Sequence, residues 1–248
     1  MFLNDTLVIS LIGCLVGVLG AGLGAILAVK FIRPSDRVMG LVLGITSGVM
    51  LAVVTFDLLP ESFEIGGLWI EIFGVSLGML IMFLVENLMH EGNSNSFNKS
   101  KNKFTRAGIL LGIGIGLHNF PEGLAIGSSF IVNPKFGLTM AIIIALHDLP
   151  EGMAVAIPLK IGGMSDLRIF LLSILTGIPT GIGALLGAIL GNISSNLIAL
   201  CLAFAGGAML YITCGELIPN AKGLYKGRFS TIGIGVGFLL GMFISGVI

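Results

Sequence analysis

Eight stretches of this chain, each about 20 residues long, are apolar enough to cross the hydrocarbon core of a bilayer. They run over about 7–29, 38–59, 67–89, 107–130, 137–158, 169–190, 197–218 and 230–248. Of the 248 residues 55% are hydrophobic and only 10% are charged, and the mean hydropathy is +1.07. A soluble domain carries about 25% charged residues. Hydrocarbon offers no partner for backbone N–H and C=O groups, so an isolated segment of this kind must satisfy them internally, as a helix. The expectation is an all-α, multi-pass integral membrane protein. Residues 1–248 form one transmembrane domain of eight helices, with the lipid bilayer as solvent. The formal net charge is zero, which gives no ground for a nucleic-acid partner.

Charge placement tests the helix count. With eight spans, Lys30, Arg33, Arg37, Lys99, Lys101, Lys103, Arg106, Lys160, Arg168, Lys222, Lys226 and Arg228 all fall on one side of the membrane, and only Lys135 falls on the other. Basic residues mark the cytoplasmic side. Both termini are therefore expected outside, and the longest connection, a polar loop over 90–106, in the cytoplasm. Removing or adding one internal span would scramble this asymmetry. Glycine is abundant at 38 residues, often at i,i+4 spacing as in Gly183/Gly187/Gly191. Such spacing lets membrane helices approach closely. Cys14, Cys201 and Cys214 form no CxxC pair and read as small buried hydrophobes.

Two of these apolar stretches are interrupted by related motifs. His118-Asn119-Phe120-Pro121-Glu122-Gly123 recurs one helix later as His147-Asp148-Leu149-Pro150-Glu151-Gly152. The chain has only three histidines, and two are here. A second repeat lies outside the first. Gly48-Val49-Met50-Leu51 followed by Asp57-Leu58-Leu59-Pro60 matches Gly207-Ala208-Met209-Leu210 followed by Glu216-Leu217-Ile218-Pro219. One constant offset carries Gly48 onto Gly207 and Pro60 onto Pro219; it is the long offset of this chain, and the step from His118 to His147 is the short one. Helices 2 and 7 run in opposite directions, as do helices 4 and 5. The organisation is thus 3+2+3, the last three helices being inverted copies of the first three. Inverted repeats around a midplane site are a feature of secondary transporters.

Ionisable groups at membrane depth are costly and mark a site or a pathway. Residues i and i+4 share a helix face, which aligns His118 with Glu122 and His147 with Glu151. Asn119 and Asp148 stand at i+3 spacing from the same glutamates. Imidazole with carboxylate suits Zn²⁺, Fe²⁺ and similar first-row ions, whereas hard cations prefer oxygen alone. Pro121 and Pro150 lack an N–H, which frees the carbonyls of Leu117 and Leu146. Asp57 and Glu216, mapped onto each other by the repeat, are candidates for gate or relay groups at opposite mouths. Glu86, near the inner end of helix 3, has no partner that the sequence identifies. Two other functions compete: an intramembrane zinc metalloenzyme, for which the His-Glu-x-x-His pattern is missing, and a passive metal channel.

The paired His-Asn-x-Pro-Glu-Gly and His-Asp-x-Pro-Glu-Gly motifs resemble the signature of the ZIP (Zrt/Irt-like) family of divalent metal transporters, and the likeness extends over essentially the whole chain. The resemblance implies uptake of Zn²⁺, with Fe²⁺, Mn²⁺ or Cd²⁺ as further substrates, across the cell membrane. It implies primary ligands at His118, Glu122, His147 and Glu151, with Asn119 and Asp148 facing a second position. It also implies a homodimer and movement of helices 1, 4, 5 and 6 against 2, 3, 7 and 8. The chain departs from the family at Thr180, which stands where many members carry an acidic residue on helix 6. A hydroxyl is a weaker ligand than a carboxylate, so one tight site and a weak or absent second one are expected.

Overall fold

A computed structural model describes residues 2–30, 36–91, 100–224 and 227–247, and these are helical almost throughout. The helices are α1 (Phe2–Lys30), α2 (Asp36–Val53), α3 (Leu59–Glu91), α4 (Ser100–Val132), α5 (Pro134–Ile161), α6 (Asp166–Ile193), α7 (Ser195–Ile212), α8 (Ile218–Leu224) and α9 (Phe229–Val247). Six stretches among the described residues are long and apolar enough to cross a membrane. One of them, Gly40–Asn87, is 48 residues long, about twice what a single crossing needs. Its helical path breaks at Gly67, at φ 72° and ψ 173°, a conformation that a side chain would oppose. α4, at 33 residues, also has the length of a membrane crossing.

The basic segment before the fourth apolar stretch is not all loop. α4 starts at Ser100 and carries Lys101, Lys103 and Arg106 in its first two turns. Lysine and arginine are good helix formers, so the helix continues past the apolar stretch. Residues 92–99 of the expected 90–106 loop lie outside the described residues.

α2 runs into α3, and α7 into α8, through one π-helical turn each, Val54–Leu58 and Thr213–Leu217. The backbone N–H of Leu59 donates to the carbonyl of Val54, and that of Ile218 to the carbonyl of Thr213. The prolines that follow, Pro60 and Pro219, explain the widening. A proline ring collides with the carbonyl one α-helical turn back, and a π turn moves that carbonyl aside. The long offset carries one turn onto the other, as it does the two motifs that contain them.

The same offset governs the packing. α2 packs on α9 and α3 on α7, while α1 packs on α5 and α4 on α6. A Cβ on Gly48 would lie 2.1 Å from the carbonyl oxygen of Ile234, and one on Gly207 2.3 Å from that of Val75. Gly123 abuts the carbonyl of Thr180 at 2.0 Å, and Gly152 that of Ala21 at 2.2 Å. Each partner in these contacts maps onto its counterpart, by the long offset in the outer helices and by the short one in the central pair. Backbone-to-backbone approach of this kind is possible only where no side chain intervenes, which gives the glycines their purpose. Outward-facing residues such as Leu11, Trp69, Phe73, Leu239 and Phe243 are exposed and apolar, as a lipid-facing surface requires.

Candidate metal centre

The central pair α4 and α5 brings the two motifs together. His118 Nε2 lies 3.0 Å from Glu122 Oε1 on its own helix and 3.3 Å from Glu151 Oε1 on α5. One ligand atom from each of these three residues lies within 4.8 Å of the other two, and all three residues are buried. The i,i+4 spacing on α4 accounts for the first contact and the packing of α4 on α5 for the second. His147 stands in α5 one turn before Glu151, and its side chain lies outside the described residues. Imidazole and carboxylate oxygens at this separation form a donor set fit for a borderline first-row cation. Two buried carboxylates facing one imidazole also need positive charge, because uncompensated charge is costly in a low-dielectric interior.

The other motif polar residues are buried as well. Asn119 Nδ2 donates to the carbonyl of Thr176 on α6 at 2.7 Å, tying α4 to α6 beside the centre. Asp148 is buried against α1, its Cβ 2.4 Å from where a Cβ on Gly20 would stand. Thr180 is buried between Gly17 of α1 and Gly123 of α4, and its hydroxyl has no hydrogen-bond partner among the described residues. It is thus enclosed by backbone and lacks room for a longer ligand.

A cavity reaches the centre from one end. A cavity of about 540 Å³ includes His118 and Glu151 in its wall and continues past Ala154 and Pro158 to Phe104, Ile161 and Gly223. That end is where α4 begins and α5 finishes. Toward the opposite end, the next residues along each helix are fully buried: Met50 and Val53 on α2, Ile126 on α4, and Met140 and Ile144 on α5. Beyond them a separate cavity of about 360 Å³ is lined by Asp57, Glu61, Glu64, Lys135, Thr139 and Ser245. Asp57 accepts a hydrogen bond from Ser245 of α9 at 2.7 Å. Glu216 lies in the π turn Thr213–Leu217, and its side chain lies outside the described residues.

One partnership escapes the sequence. Tyr211 of α7 donates its hydroxyl to Glu86 of α3. The repeat does not supply it: the long offset carries the Asp57–Ser245 pair onto Glu216 and Glu86, and Tyr211 onto Ala52. The position of Tyr211 is a matter of α3–α7 packing and has no local signal.

The profile of the ZIP zinc transporter family matches residues 90–246. The chain belongs to that family. Among its relatives, a zinc transporter ZupT of Akkermansia muciniphila is 33% identical over 96% of both chains. A ZupT of Chlorobaculum parvum is 31% identical over 98% of both chains. A zinc transporter GufA of Myxococcus xanthus is 36% identical over 68% of this chain and 67% of its own. Membership in a transporter family removes the intramembrane enzyme as a reading. The ZIP match spans α4 to α9, and therefore both His–Glu motifs and the second copy of the long-offset repeat.

Proposed function

We propose that this ZIP protein carries Zn²⁺ across the cytoplasmic membrane into the cell, through a midplane site made by His118, Glu122, His147 and Glu151. The observation that carries the reading is the convergence of His118, Glu122 and Glu151, with ligand atoms within 4.8 Å of one another, beside a cavity whose wall includes His118 and Glu151. Zinc is the cargo and is held by exchangeable nitrogen and oxygen ligands. Such ligands must be unprotonated to bind, so loading competes with protons. The other divalent ions of the family, Fe²⁺, Mn²⁺ and Cd²⁺, fit the same donor set.

The proposed architecture is eight spans in a 3+2+3 order with both termini outside. Its support is the break at Gly67, the pair of π turns and the glycine contacts related by the two offsets. With the basic residues in the cytoplasm, the 540 Å³ cavity faces inward. The chain is then in an inward-open state, sealed outward by Met50, Val53, Ile126 and Met140. Inversion of the repeats supplies the alternate state, in which the outer half opens and the inner half closes. A carrier of this kind differs from a passive channel in having one mouth open at a time. Asp57 and Glu216 serve as cation-attracting groups at the two mouths, and the functional unit is a homodimer.

The test is zinc uptake into proteoliposomes by the wild type, His118→Ala and Glu151→Ala. Uptake is expected to fall to background in both variants and to saturate with zinc in the wild type. Uptake that persists in both variants would remove the centre from the pathway, and uptake that fails to saturate would favour the channel.

A further inference from the structure

A groove of about 500 Å³ opens between α4, α5 and α6, away from the metal centre's cavity. Its floor is Gly112 and Gly116, and its walls include Val155, Leu172, Leu175 and Pro179. This glycine pair differs from the glycines at the helix contacts. Where Gly48, Gly123 and Gly152 meet a partner backbone at 2.0–2.2 Å, a Cβ on Gly112 would meet only side-chain carbons of Val155 and Thr176, at 3.5 and 3.6 Å. On Gly116 the nearest atom would be 3.8 Å away. The repeat closes the equivalent place on the outer half. Gly116 maps onto Ala145 and Pro179 onto Gly20, and a Cβ on Gly20 would lie 3.0 Å from the Ala145 carbonyl oxygen. The inner half is therefore left with a space that no described helix fills.

We propose that this groove holds an acyl chain of an anionic phospholipid from the inner leaflet. The groove lies within membrane-spanning helices, so the membrane supplies its occupant. From Gly108 to Phe120 it follows α4 for about 18 Å at the helical rise per residue, close to the roughly 15 Å depth of one leaflet. The charge at its inner end selects the headgroup. Arg168 is exposed and stands on α6 at i,i+4 spacing from Leu172 and i,i+7 spacing from Leu175, on the face that lines the groove. α4 brings Lys101, Lys103 and Arg106 to the same boundary. Basic residues at that boundary bind anionic lipid phosphates. The occupant would bear on a functional contact, because Thr176 forms part of the groove wall and its carbonyl holds Asn119 beside His118.

The test uses the full-length chain reconstituted in vesicles of equal phosphatidylglycerol and phosphatidylcholine. The protein is then extracted in mild detergent, and its retained lipids are counted by native mass spectrometry. The wild type is expected to retain phosphatidylglycerol in preference. Arg168→Gln should lower that preference about fivefold, the loss of one basic contact at a membrane surface. Gly112→Leu should fill the floor and displace either lipid, and its Cβ meets only ordinary van der Waals contacts, so the fold tolerates it. Gly235→Leu is the control, since a Cβ there meets nothing within 4 Å. Equal retention of both lipids by the wild type, unchanged preference in Arg168→Gln, or equal retention by Gly112→Leu and Gly235→Leu overturns the proposal. Retention is read without zinc, so such a result leaves the transport reading standing.

Discussion

Gly24→Ala is the sharpest probe of how the fold holds its centre. A Cβ at Gly24 would lie 2.0 Å from the carbonyl oxygen of Leu149 and 3.0 Å from the backbone nitrogen of Met153. It would thus intrude on the α5 backbone that carries Glu151. Contacts below 3.0 Å are essentially never seen, so α1 must retreat from α5 by at least about 1 Å. Overpacking of a well-packed interface costs roughly 1–3 kcal/mol. In a chain of this size that lowers the melting temperature by several degrees, at about 2–4 °C per kcal/mol. The repeat supplies an internal control. Gly183 is the counterpart of Gly24 and abuts the Phe120 carbonyl at 2.2 Å, so Gly183→Ala should cost a similar amount. Gly235→Ala, with open space around it, should be neutral or gain up to about 1 kcal/mol of helix propensity. Thermal unfolding in detergent, followed by zinc titration of each variant, reads both consequences. Zinc affinity is expected to fall in Gly24→Ala and Gly183→Ala, because ligand distances must hold to within about 0.2 Å. A Gly24→Ala protein as stable and as tight for zinc as Gly235→Ala would refute this account of the packing.

Three further outcomes follow from the centre and its surroundings. Zinc affinity should decline as pH is lowered, because protons compete for every ligand; titrations at successive pH values that give one constant would contradict it. Equilibrium dialysis at modest zinc should saturate near one tightly held ion per chain, since Thr180 is enclosed by backbone and offers a single hydroxyl; two tightly held ions would contradict the role given to this residue. Tyr211→Phe should remove the hydroxyl donor from Glu86 and cost about 0.6–2 kcal/mol, the scale of interhelical hydrogen bonds in membranes. Thermal unfolding measures that loss, and an unshifted transition would show that the pair adds nothing to the α3–α7 contact.

The legible part of this protein is the part governed by local pattern. Apolar length marks a multi-pass membrane protein, and i,i+4 spacing aligns His118 with Glu122 before any coordinate is known. Both offsets are written in the motifs, and the π turns and glycine contacts repeat them in three dimensions. The expectation of a loop over 90–106 fails at its far end. The polarity of Lys101, Lys103 and Arg106 says that they leave the membrane and says nothing about whether the helix stops. Spacing sets Asn119 and Asp148 beside the His–Glu pairs; that Asn119 donates to Thr176 on α6 and that Asp148 packs on α1 depends on the neighbouring helices and has no local signal.

By itself the sequence determined that this chain spans a membrane, carries a twin imidazole–carboxylate motif on two of its helices and repeats itself around them. Only the tertiary structure decided that His118 reaches Glu151 across the α4–α5 contact, that a cavity reaches both of them, that Glu86 has a tyrosine and that Gly112 faces a groove instead of a helix. The physical reason is range. Solvent preference and helical periodicity act within about a turn or a span and are written residue by residue, whereas cavities and interhelical hydrogen bonds arise from how closely distant backbones approach.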